Sequence, residues 1–134
     1  MGRSGYSDNC ENLELWRQAV HNAIHGKRGQ AFLRRMATAL DSMPARRLIS
    51  GDLVCGAGVC AMGSVALAEG IDTSEIRPGD RDSVAELFKI APALAAEIAF
   101  ENDQDFAYHR DATPEQRWER MRTWVDEHLK KDDQ

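Results

Sequence analysis

Apolar residues recur along this chain at helical spacing, and the pattern is interrupted midway by a stretch of different texture. Leu13, Trp16, Val20 and Ile24 follow one another at intervals of three, four and four, which marks one apolar face of a helix. That helix is expected to begin near Ser7–Asn9, any of which can cap it, and to stop at Gly26. A Gly-Lys-Arg-Gly link then leads to a second helix over roughly residues 30–43, closed by Pro44. Its buried side is read as Phe32, Leu33, Met36 and Leu40, supported by Ala37 and Ala39. A link this short makes the first two helices neighbours, as an antiparallel hairpin or a more crossed pair.

The interruption runs from Leu48 to Gly70, LISGDLVCGAGVCAMGSVALAEG. It carries charge only at Asp52 and Glu69 and is rich in small residues, so it is expected to form the buried middle of the molecule. Leu48–Ile49, Leu53–Val54–Cys55 and Val59–Cys60–Ala61 are short β-prone pieces separated by glycines. They allow either a minor hairpin across Gly56–Ala57–Gly58 or a loop. Residues 62–69 then suit a tightly packed helix with Gly70 as its C-terminal glycine.

Helical spacing resumes afterwards. Asp82 or Ser83 is expected to cap a short helix with Val84, Leu87 and Phe88 on one face. Pro92 suits the first position of another, which turns Leu94, Ala95, Ile98 and Ala99 inward and ends at Asn102–Asp103. There the Asn-Asp pair reads as a termination signal bonding to nearby backbone. Thr113-Pro114-Glu115-Gln116 matches a capping box with proline at the first position. It opens a last helix striped by Trp118, Met121, Val125 and Leu129, with Trp124 on the flank. The whole reads as a mainly α, single-domain bundle of five or six helices. A flexible N-terminal arm is expected at residues 1–10, a globular domain at 11–130 and a frayed tail at 131–134.

Composition adds compartment and excludes some partners. The longest apolar run, Val59 to Ala68, is broken by Gly63 and Ser64 and is too short to span a bilayer. MGRSGYSDNCEN lacks the apolar core of a secretory signal, and an odd count of 3 cysteines suits reduced thiols, so a cytoplasmic setting is expected. Net charge is −5, divided unevenly. Residues 1–67 hold 8 Lys/Arg against 5 Asp/Glu, whereas residues 68–134 hold 9 against 17. The halves thus carry +3 and −8, an asymmetry that suits either steering of a partner or mutual neutralisation on folding.

Few residues suggest chemistry. His21 and His25 share a helix face, and Cys55 and Cys60 could add thiolates, but the arrangement matches no strong zinc signature. Cys60 could be a nucleophile, with His109 as base and Asn102 or Asp103 as orienter. Its place between Val59 and Ala61 fits an inert buried thiol better. Neither a nucleophile elbow nor a P-loop is present, and Gly56, Gly58 and Gly63 form no dinucleotide fingerprint. No cofactor, metal or catalytic residue is therefore assigned. Lys27, Arg28, Arg34, Arg35, Arg46 and Arg47 form the basic cluster, which could contact an acidic protein or nucleic acid. In the nucleic-acid case helices one and two would act as a helix-turn-helix, against which the pI of about 5.3 argues. Trp118, Met121 and Trp124 are core residues by position, or partner-protein anchors if exposed.

The runs GRSGYSD (2–8), GKRGQAFLR (26–34), VCAMGSVA (59–66), LAAEIAFEND (94–103) and TPEQRWERMRTWV (113–125) cover most of the chain. In these the sequence resembles a group of small, uncharacterised phage- and prophage-type proteins. Its most specific points are the Cys-Ala-Met-Gly piece at Cys60–Gly63 and the helix ending in Asn-Asp. The resemblance assigns no catalytic residue. It implies accessory-gene company, in which small proteins bind and inhibit host machinery, defence systems such as CRISPR complexes included. The expected function is non-enzymatic protein binding in the cytoplasm, with nucleic-acid binding and a Cys60-centred site as the alternatives.

Overall fold

A computed structural model describes residues 13–76, 80–103 and 112–130. The arm at 1–10, the tail at 131–134, His109 and the side chains of Leu13 and Trp16 lie outside the described residues. Six helices and one hairpin follow in order: α1 (Leu13–His25), α2 (Lys27–Asp41), β1 (Val54–Cys55), β2 (Gly58–Val59), α3 (Ala61–Glu69), α4 (Arg81–Phe88), α5 (Pro92–Asp103) and α6 (Pro114–His128). The fold is mainly helical, as the apolar spacing predicts.

The junction of the first two helices differs from expectation. The Gly-Lys-Arg-Gly run is not a link, because α2 starts at Lys27 and only Gly26 separates it from α1. Gly29 lies buried inside the first turn of α2, where a Cβ would stand 1.9 Å from the Ala23 carbonyl oxygen. Glycine is thus required here by backbone approaching backbone, and a chain break is not its purpose. A one-residue junction also departs from the three- or four-residue turn of a helix-turn-helix.

α2 packs against α1, α3 and α6, and α5 against α1, α3, α4 and α6, so these two helices form the centre. Phe32, Leu33, Met36 and Leu40 of α2 are completely buried, each stabilising the fold by about 2 kcal/mol through apolar area removed from water. Phe32 meets Phe88 of α4 edge to face at 5.7 Å between ring centres. Leu94, Ala95 and Ile98 of α5 fill the other side, and Trp118, Met121, Trp124 and Val125 of α6 close the bottom.

The stretch expected to be the buried middle is so only in part. Residues 59–66 are buried, but Val54, Cys55, Gly56 and Ala57 project the hairpin tip into solvent, and α3 is exposed from Leu67 onward. The hairpin pairs Val54 with Val59 and Cys55 with Gly58 in antiparallel register. On its far side Ile49 N–H donates to the Val59 carbonyl at 2.9 Å, so residue 49 flanks β2 opposite β1. Gly63 lets α3 lie directly on this layer, since a Cβ there would fall 2.0 Å from the Leu53 carbonyl oxygen.

Helix ends follow the predicted chemistry with one shift. Thr113 and Gln116 form the complete capping box, and Gly70 closes α3 in the left-handed conformation at φ 70°. The cap of α4 is Asp80 instead of Asp82 or Ser83: its carboxylate accepts from Ser83 N–H and from the Ser83 hydroxyl. Ser83 is therefore the third residue of the helix, bonded back to the cap. The oppositely charged halves are joined by ion pairs, namely Arg35–Glu69, Arg47–Glu115 and Asp41–Arg122. Asp41–Arg122 runs opposite to the other two, pairing an acid of the basic half with a base of the acidic half, so together the three pairs cancel little of the charge asymmetry.

Candidate functional site

The residues with most chemical potential meet at the start of α3. Cys60 caps this helix, its Sγ accepting from Gly63 N–H at 3.4 Å, and the residue is only 1% exposed. Asn102, completely buried at the end of α5, accepts from Ala61 N–H at 3.0 Å and donates to the Ile49 carbonyl at 2.9 Å and to Asp103 Oδ1 at 2.9 Å. Asp103 in turn accepts from Gly51 N–H at 3.0 Å. α5 does end at Asp103, as the Asn-Asp pair predicts, but the two side chains bond distant backbone and not the nearby turn. They reach across the molecule to hold the backbone of the 49–61 segment against α5. Fold topology does bring Asn102 beside Cys60, as a nucleophile–orienter pair requires. Yet the thiol is sealed, and the asparagine's amide hydrogens and oxygen are spent on backbone and on Asp103. The arrangement suits positioning of a loop, not attack on a substrate.

Two further buried polar residues act the same way. Arg117 donates from Nη1 to the Leu48 carbonyl at 2.9 Å, fixing the entry to that segment from α6. Gln30 donates to the Ile24 and His128 carbonyls and accepts from Lys130 N–H, tying the end of α6 to the α1–α2 junction. Neither was among the sequence candidates. Both stand on apolar stripes, Gln30 below Leu33 and Leu40, Arg117 four residues before Met121, and that misplacement is the signal that could have found them.

The histidine and cysteine candidates separate. His21 and His25 meet with ring centres 4.2 Å apart, but Cys55 is exposed on the hairpin and Cys60 is buried. Among the described residues no group of three or more His, Cys, Asp and Glu is placed to hold a metal ion. His25 Nδ1 is buried and has no hydrogen-bond partner. Burial, then the neighbouring His21, Lys130 and His128, holds this imidazole below the ordinary value of 6.5.

The six basic residues are dispersed as well. Lys27 and Arg28 lie in the first turn of α2, which rises about 21 Å over its 15 residues, and Arg46 and Arg47 lie beyond its last turn. Arg35 grips Glu69 through two bonds of 2.9 and 2.5 Å, which holds the Glu69 carboxyl below its usual range. Arg46 stacks over Trp118 at 4.6 Å, and Arg47 pairs with Glu115 at 3.1 Å. Lys27, Arg28 and Arg34 remain exposed. The expected anchors Trp118, Met121 and Trp124 are all buried, and Trp118 donates its indole N–H to the Leu40 carbonyl. They build the core and present no surface to a partner.

An apolar groove of about 590 Å³ does reach the surface, between the end of α2, the hairpin and the outer side of α3. Met43, Pro44 and Ala45 form one wall, Ala57 and Gly58 the hairpin side, and Leu67 and Ala68 the opposite lip. Leu67 is 69% exposed, and Arg47 is the charged residue in the lining. The groove went unread in the sequence because three separate segments make it. Leu67 is the signal in α3: Met62 and Val65 are buried, whereas Leu67 on the last turn stands exposed. Among the described residues no helix is long and apolar enough to cross a membrane. No protein-family model, curated protein or solved structure matches this chain.

Proposed function

We propose that this chain is a non-enzymatic protein that acts by binding another protein in the cytoplasm. The observation that carries this reading is the open apolar groove with Leu67 standing 69% exposed at its lip. Apolar side chains gathered around an open groove offer a partner's apolar groups a place to leave water. A small-molecule site is a poorer match, because such pockets converge several polar groups on a ligand, and here Arg47 and Ser42 are the polar side chains near the opening. A catalytic role is disfavoured because Cys60, Asn102 and Asp103 are committed to holding backbone. Nucleic-acid binding is disfavoured because α1 and α2 meet across a single residue, without the turn of a helix-turn-helix, and the chain carries a net charge of −5. The resemblance to phage-type proteins adds a role: blocking a host defence or regulatory complex.

The test is capture from host lysate with the wild-type chain and with Leu67→Asp side by side. A partner retained by the former and lost with the latter supports the reading. Equal recovery by both proteins, or no partner above background, contradicts it.

A further inference from the structure

Resting on the groove as the binding surface, we infer that its occupant is a short protein segment pairing apolar side chains with a carboxylate that docks on Arg47. The groove takes apolar groups along Met43, Ala57 and Leu67, none of which offers a charge to satisfy. Arg47 stands at its edge, and its side chain remains 61% exposed although it is paired. The present partner is Glu115 of α6, itself 59% exposed, at 3.1 Å. This pair shows that a carboxylate is accommodated at this spot. So exposed a pair is weak, and an incoming acidic group displaces or shares it at little cost. The other acidic groups of the neighbourhood are already occupied: Glu69 holds Arg35 and Asp41 holds Arg122. Arg46, adjacent in sequence, lies over Trp118 and adds positive potential without closing the groove. An apolar segment carrying a basic residue would meet Arg47 with like charge, so charge sign selects among apolar ligands.

The probe is a displayed library of random short peptides selected on the immobilised full chain, followed by affinity measurement of the enriched peptides. Enriched peptides are expected to join apolar residues to Asp or Glu and to lose binding to Leu67→Asp. Against Arg47→Glu they should weaken about tenfold, and replacing their acidic residue with Lys should restore part of that loss, since attraction becomes repulsion and back again. The charge swap also separates contact from misfolding, because a misfolded variant is not rescued by a basic peptide. Peptides that need Leu67 but are indifferent to Arg47→Glu would overturn the acidic contact and leave the groove standing. If no enriched peptide depends on Leu67, the groove itself is refuted together with the inference.

Discussion

Asn102 shows how much one polar side chain can decide. Its amide, fully buried, satisfies the Ala61 N–H and the Ile49 carbonyl. Replacing it with Leu leaves both backbone groups unpaired at about 1–3 kcal/mol each, so Asn102→Leu is expected to cost about 3 kcal/mol in urea denaturation. A loss under about 1 kcal/mol would mean that the 49–61 segment holds its place without the clamp. Gly29 makes the opposite kind of statement, about space. By helix propensity alone Gly29→Ala should stabilise α2 by about 1 kcal/mol. The Ala23 carbonyl, 1.9 Å from the added Cβ, forces α1 away from α2, and a net loss of about 2 kcal/mol is expected in the same assay. Both residues were visible in the sequence but misread. Asn102 resembled a turn former, and Gly29 resembled a loop residue, because spacing reports which residues share a face and not what stands opposite them.

At the level of elements, periodicity and caps carried most of the reading. The stripes of α2, α5 and α6 are buried as their spacing required, since each must hide one face from water. The capping box at Thr113 and the closing glycine at Gly70 are local devices, so they could be recognised without knowing any neighbour. The 48–61 segment could not be resolved that way. Its hairpin has only two residues per strand and is held by α3, α5 and α6, through Ala61, Asn102 and Arg117. The docking of the α6 end has a measurable signature. His25 faces His21 on its own helix and His128 and Lys130 from the α6 end, and its folded pKa lies below the unfolded 6.5. The unfolded chain thus binds this proton more readily than the folded one. Stability is full above pH 6.5 and falls as pH drops through that value toward the lowered folded one. Denaturation midpoints measured across this window should fall with pH, and His25→Gln should flatten the slope. An unchanged slope in that variant would remove His25 from the account.

For the whole molecule, the two halves of opposite charge are drawn together by Arg35–Glu69, Arg47–Glu115 and Asp41–Arg122. Because Asp41–Arg122 runs opposite to the other two, these pairs link the halves but leave most of the asymmetry of the sequence in place. Buried polar residues fix the centre, and association is left to the apolar groove on the surface. The most direct measurement of this division is thiol labelling of the native protein, with the modified residues mapped by mass spectrometry. Exposed Cys55 is expected to react in the folded state, whereas Cys60, 1% exposed and bonded to Gly63 N–H, should react only on unfolding. Rapid labelling of Cys60 in the native protein would show an open, reactive centre and contradict the account.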